Sequence, residues 1–385
     1  MRRVLLSIAC ATTLLVSAVP ASAAPDARQA AMDAAVAAGA PGMVAVADDF
    51  RGVSGVASVN RPGKPDASGR WRVASVSKVF TATLVLQLAD AKKIGLDQPI
   101  QQYLPGLLPY PEPITVRQLL NHTSGVPRDL TPEQGWGTLA EIDTERFEHF
   151  SPEQQIKLST QQPLLFKPGA GWSYSNTGFN ILGVLVEKIT HQPLAQVLAK
   201  RITGPLHLRD TSLPLDFPFL LDPAARGYEQ LYPAPHGLTD VTTYNYTRYS
   251  GAGDVVSSGA DLNRFFGALL GAKLFSADML KQMQTAVPVN GPLSYGLGLM
   301  KYDLPADLCG KAVTIWGHGG DLPGFNTLSF HDGAGKQIST LATIDITASP
   351  DVALKRQLPM INEFCPNPQI PPAAKAAAQP LIPTL

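Results

Sequence analysis

The stretch from Asp26 to Ala38 reads as a helix, and Gly39 and Pro41 stop it. Gly42 to Ala47 and Gly52 to Val59 read as two short strands, and the loop from Asn60 to Gly69 carries Pro62, Gly63 and Pro65. Trp71 to Ala74 reads as a further strand. Ser75 then opens a run without Pro or Gly as far as Gly95, in which Val79, Phe80, Leu84, Leu86 and Leu88 spread around the helix. A helix apolar on every side is one that is buried. Thr115 with Gln118 forms a capping-box pattern ahead of Leu119 and Leu120, and Thr177 to Ile189 is periodic with an apolar face. Leu213 to Tyr246 is rich in Pro, Tyr and Gly and shows no clear period. Beyond Gly251 the pattern changes. Asp261 to Gly271 reads as helix, then Leu297–Tyr302, Ala312–Gly317, Thr327–Phe330 and Ile338–Ile344 as strands, and Leu354–Phe364 as a closing helix.

Strands at both ends with helices between them predict a mixed α/β sheet domain whose chain leaves and returns. We place this domain at residues 24–80 and 241–365, with a mostly helical domain at 81–240. Residues 366–385 are rich in Pro and Ala and are expected to be a disordered tail. A chain of 385 residues, 45% apolar and 16% charged, can bury a large core, and its length suits two domains or one interrupted by another. The formal net charge is zero and no Lys/Arg-rich run occurs, which argues against a nucleic-acid partner.

Residues 1–23 read as a signal peptide. Arg2 and Arg3 precede an apolar stretch from Val4 to Val19, and Ala21-Ser22-Ala23 supplies small residues for cleavage after Ala23. The alternative, a transmembrane anchor, meets a short run that ends in Pro20 and small residues. The expectation is therefore a secreted chain with no stable membrane anchor. Cys10 leaves with the signal, so Cys309 and Cys365 remain. An even pair in an exported protein suggests a disulfide, with two buried thiols as the alternative.

Three short patterns carry chemistry. In Ser75-Val76-Ser77-Lys78 the amine lies one helical turn from the hydroxyl, and a helix N-terminus favours both an oxyanion and an uncharged lysine. Alone, the spacing is common. Tyr174-Ser175-Asn176 sits in a Gly/Pro-rich loop ahead of a helix, where a phenol beside a lysine can act as base and then acid. Read blandly, it is a helix cap with a surface tyrosine. In His318-Gly319-Gly320-Asp321 the small residues would let a substrate backbone approach a strand, and an amide after them could complete an oxyanion hole with that of Ser75. Its plain alternative is a hairpin turn. There is no zinc-type His/Glu helix motif, Walker-type loop or Gly-x-Ser-x-Gly elbow, so no cofactor or metal is expected.

Taken together and in this order, the three patterns make the chain resemble the serine β-lactamase and penicillin-binding family, in the branch of class C β-lactamases and secreted D-alanyl-D-alanine carboxypeptidases. Ile114 to Gly125 and Tyr295-Gly296-Leu297-Gly298-Leu299 extend the resemblance, which covers roughly Asp26 to Cys365. It implies an antiparallel sheet flanked by helices with an inserted all-helical domain. It further implies Ser75 as nucleophile, Lys78 and Tyr174 as proton carriers, Asn176 and His318 as substrate-binding groups, and the amides of Ser75 and Asp321 as the oxyanion hole. His122 has no chemical role in it, and Cys309 and Cys365 match a disulfide of some secreted members. The implied function is D-Ala-D-Ala carboxypeptidase action on peptidoglycan-type peptides. An esterase, an amide hydrolase or a β-lactamase on the same scaffold is the alternative, and a penicillin-binding sensor is the non-enzymatic one. One departure matters: Gly319 and Asp321 stand where the carboxypeptidases carry hydroxyl residues that hold a substrate carboxylate. An anionic substrate end needs another cation, with Lys301 or Arg248 as candidates.

Overall fold

The structure is a computed structural model that describes residues 26–131, 134–372 and 381. Residues 1–23, read above as a signal peptide, and most of the Pro/Ala tail lie outside these. Eight strands form one antiparallel sheet in the order Arg51–Gly55, Gly42–Ala47, Gln337–Ala342, Phe325–His331, Val313–Leu322, Met300–Leu304, Leu293–Tyr295 and Val287–Asn290. The N-terminal strands thus pair with the last strand of the chain, and everything between residues 56 and 286 is inserted between two parts of one sheet.

Both faces of the sheet are covered, which is why Gly42–Ala47 is buried at every position instead of alternating. Met43 and Ala45 pack in the cluster that contains Met32 and Ala35 of the Ala27–Ala37 helix and Ile361 and Phe364 of the Leu358–Phe364 helix. Val44 and Val46 face the opposite way, into the cluster of the Gly259–Leu270 and Ser77–Asp90 helices. The Ser77–Asp90 helix is buried on nearly all sides, as its apolar distribution predicts, and its Phe80 stacks on Phe265 at 3.9 Å. The capping box at Thr115 and Gln118 is formed in both directions.

Several elements differ from the sequence reading: the strand expected over Gly52–Val59 ends at Gly55, and Val287–Asn290 and Leu293–Tyr295 are strands that it did not give. The strand expected over Ala312–Gly317 runs on to Leu322, because Phe325–His331 pairs with it through Asp321 and Leu322. The strand expected at Leu297–Tyr302 begins at Met300, after a turn in which Gly298 has φ +75°. The closing helix is two helices, Pro350–Lys355 and Leu358–Phe364, with Pro359 in the first turn of the second, where its missing N–H costs nothing. The sulfurs of Cys309 and Cys365 are bonded in the structure, with Cα atoms 4.5 Å apart. This ties the segment after Met300–Leu304 to the end of the last helix. Gln369 N–H donates to Leu308 O, so the first tail residues follow the body.

Candidate active site

Ser75 lies in a single 3-10 turn, Ala74–Val76, that feeds directly into the Ser77–Asp90 helix. Ala74 has φ +52°, a left-handed conformation that costs a residue with a Cβ roughly 1–2 kcal/mol. The strain sits one residue before the hydroxyl, and Ala74 is held there by the Val313–Leu322 strand pressed against it. A Cβ on Gly320 would collide with Val73 O and lie 2.9 Å from Ala74 Cβ and 3.0 Å from Ser75 N.

Lys78 is fully buried, and its Nζ has three neighbours: Ser75 Oγ at 3.0 Å, Asn176 Oδ1 at 2.6 Å and Ala252 O at 2.8 Å. A neutral amine has two hydrogens and one lone pair. Asn176 Oδ1 and Ala252 O can only accept, so they take the two hydrogens, and the lone pair is left for the Ser75 hydroxyl proton. The Asn176 amide orientation is fixed independently, because its Nδ2 donates to Asp129 Oδ2 at 2.8 Å. Burial holds the lysine well below its ordinary value, against the smaller pull of Asp129. The three contacts suit an ammonium as well as an amine, and burial favours the amine, whose lone pair would then face Ser75.

Tyr174 precedes the Asn176–Thr190 helix, whose N-cap Ser175 accepts from Gly178 N–H. Its phenol reaches the Ser75 hydroxyl, and Lys78 Nζ lies 4.8 Å from its ring centroid. Burial raises the phenol above its usual range, so it keeps its proton at neutral pH. In the resting site the phenol is therefore set up as an acid before it can act as a base. Behind the phenol stands His122, with its ring 4.4 Å from that of Tyr174 and its Nδ1 accepting Ser175 N–H at 3.1 Å.

His318 does not face the cleft as a cation. It is fully buried, Tyr295 OH donates to its Nε2 at 2.8 Å, and its Nδ1–H donates to Gly319 O at 2.5 Å. Burial pushes its pKa down to about 3, which agrees with this neutral tautomer. The edge of the Val313–Leu322 strand is open beyond Gly317, where pairing with Met300–Leu304 ends. Gly319 N–H points to that edge and meets Met300 Sδ at 3.4 Å. Two residues on, the Asp321 amide faces the same way. The Asp321 carboxylate accepts from Asn326 Nδ2 at 2.5 Å.

Neither compensating cation is available for a substrate carboxylate. Arg248 is buried between Glu145 at 3.3 Å and Glu148 at 3.5 Å, and Lys301 pairs with Asp303 at 2.7 Å. Two residues at the site escaped sequence reasoning. Asp129 orients Asn176. Asp254, with its pKa pushed up to about 7 by burial, accepts from Gly251 N–H at 3.1 Å and closes the turn that offers Ala252 O to Lys78. Among the described residues no cluster of His, Cys, Asp and Glu could hold a metal ion.

A serine hydroxyl in contact with a buried lysine amine and with a phenol, beside an open strand edge, has the parts of a nucleophile of the Ser-x-x-Lys kind. The chain belongs to the Beta-lactamase family, whose model matches residues 28–348. It is similar to penicillin-binding protein 4* of Bacillus subtilis, 30% identical over 271 residues that cover 67% of this chain and 57% of that protein. It is also similar to a D-aminopeptidase of Cereibacter sphaeroides, 27% identical over 79% of this chain and 59% of that protein. The chain thus spans less than two thirds of the length of either. Among solved structures, a D-stereospecific amidohydrolase from Streptomyces sp. superposes with a TM-score of 0.77 at 34% identity, covering 88% of this chain and 98% of that one. The antiparallel sheet flanked by helices is the β-lactamase/transpeptidase-like fold expected from the sequence.

Proposed function

We propose that the protein is an exported hydrolase that cleaves amides of D-configured acyl groups whose leaving group carries no carboxylate. The observation that carries the chemistry is the Lys78 contact set, in which two acceptors consume the amine hydrogens and leave its lone pair for Ser75. Ser75 Oγ gives its proton to Lys78 Nζ and attacks the carbonyl carbon. The amides of Ser75 and Asp321 receive the oxyanion. As the C–N bond breaks, the Tyr174 phenol protonates the leaving nitrogen, and the phenolate so formed takes up the proton held by the Lys78 ammonium. Water then attacks the ester carbonyl, its proton passes to the same pair, and Ser75 Oγ leaves as the hydroxyl.

The substrate reading rests on charge. His318 is neutral, Arg248 and Lys301 are ion-paired, and Asp321 adds a carboxylate beside the oxyanion edge. Such a site receives an uncharged or cationic group better than a terminal carboxylate. The D preference comes from the likeness to the Streptomyces amidohydrolase. Carboxypeptidase action on D-Ala-D-Ala peptides is the second reading. It is favoured by Arg128, whose half-exposed guanidinium lies 5.1 Å from the Tyr174 ring centroid, although it also lies 3.6 Å from Asp129. The two are separated by kcat/KM for D-phenylalanine amide and for diacetyl-L-lysyl-D-Ala-D-Ala. The amide should be preferred by about tenfold or more, since a single unmet charge contact is worth about 1.5–3 kcal/mol. Preference for the peptide would reverse the assignment. Steady turnover of nitrocefin would mark a β-lactamase, and labelling by penicillin without turnover of any substrate would mark a sensor.

Export accounts for the signal-like N-terminus and for the bonded Cys309 and Cys365. Intact mass of the protein recovered from culture medium should begin at Ala24 and be two hydrogens lighter than the reduced chain. A full-length reduced chain retained in cells would refute both.

A further inference from the structure

Glu229 lies in the stretch that shows no period in the sequence, yet it is fully buried. Its carboxylate accepts Gly324 N–H at 2.7 Å, Asp345 N–H at 3.0 Å, and Ile346 and Thr347 N–H at 2.9 Å each, together with Thr347 Oγ at 2.5 Å. Five donors from two distant segments satisfy a charge that would otherwise be very costly to bury. One of those donors is the tip of the hairpin whose incoming arm carries Gly320 and Asp321.

The tip is also fitted sterically to the segment that carries Glu229. Gly324 has φ +78°, and a Cβ there would lie 2.6 Å from Val241 Cγ2 and 2.7 Å from Gly227 C. A Cβ on Gly227 would in turn lie 2.7 Å from Gly324 O. Between Gly324 and the oxyanion amide there are only Leu322 and Pro323. A shift of the tip is therefore passed to Asp321 with little room for absorption.

We infer that Glu229 is a positioning residue for the oxyanion edge, acting through Gly324. The inference rests on the proposal that the Ser75 and Asp321 amides receive the oxyanion. In Glu229→Gln an amide NH2 replaces one acceptor oxygen and faces backbone donors. The hairpin tip loosens while Ser75, Lys78 and Tyr174 keep their contacts.

The test uses the full secreted chain, with kcat and KM on an ester or amide that it turns over and the inhibition constant of a phenylboronic acid. Boronates form a tetrahedral adduct on a serine and place an oxygen where the oxyanion would sit. Glu229→Gln should lower kcat by about 10- to 100-fold, less than the loss of a whole oxyanion donor, with KM within about twofold. The boronate should weaken by a similar factor. Should Glu229→Gln not fold, Gly227→Ala pushes the same tip from outside and should give the same selective loss. A folded variant with wild-type kcat and boronate affinity overturns the inference, as does a loss that only tracks the unfolded fraction. If the wild-type enzyme binds no boronate at Ser75, the underlying oxyanion proposal fails instead.

Discussion

Lys78→Met should lower the rate of acyl-enzyme formation by about three orders of magnitude, within the range for loss of a general base. Methionine keeps most of the buried volume, so the Ser77–Asp90 helix should remain folded. What is lost is the lone pair on Ser75, together with the two hydrogens that Asn176 Oδ1 and Ala252 O accept. Lys78→Arg should fail as badly, because a guanidinium stays charged and cannot take the hydroxyl proton. The pH profile follows from the directions of the two shifts. Lys78 works deprotonated and titrates well below its ordinary value, so activity rises with pH through that lowered value and is lost on acidification. Tyr174 works protonated and titrates above its ordinary 10, so no alkaline loss from it is expected below pH 10. Single-turnover acylation measured against pH checks both. A fully active Lys78→Met variant, or a rate that falls between pH 7 and 9, would contradict this division of labour.

Gly320→Ala should cost at least about 100-fold in kcat/KM, comparable to removing an oxyanion donor outright. The added methyl meets backbone, at Val73 O and Ser75 N, with no flexible side chain to give way. Either the strand edge withdraws from the nucleophile or the strained Ala74 turn relaxes. Both separate the Ser75 and Asp321 amides. Glu229→Gln disturbs the same edge from the hairpin end and should be the milder of the two. Gly319→Ala is the control, since its Cβ would meet only Leu328 Cδ2 at 3.5 Å and Thr327 O at 3.9 Å. Steady-state kinetics on folded variants distinguish them, and equal losses at 319 and 320 would argue against the close approach.

Local patterns made the reacting groups legible. A hydroxyl and an amine one turn apart, a phenol before a helix cap and a glycine pair need no knowledge of distant contacts. The partners that tune them were hidden, because Asp129 and Asp254 act through loops remote in sequence and carry no spacing signal. His318 was legible as a position but not as a charge state, which depends on Tyr295 and on complete burial. The extent of the Val313–Leu322 strand was obscured by Gly317, Gly319 and Gly320, which have no side chain to display the two-residue alternation. The segment around Glu229 shows no period because hydrogen bonds to one carboxylate hold it as much as an apolar face does. The break in the last helix was readable, since Pro359 cannot continue the hydrogen-bond ladder.

Whether Ser75 Oγ carries the acyl group can be read by mass spectrometry after a brief exposure to a penicillin or an activated ester. One adduct is expected, mapped to the peptide containing Ser75, absent in Ser75→Ala and slow to form in Lys78→Met. An adduct on another residue, or substrate turnover that survives in Ser75→Ala, would contradict it.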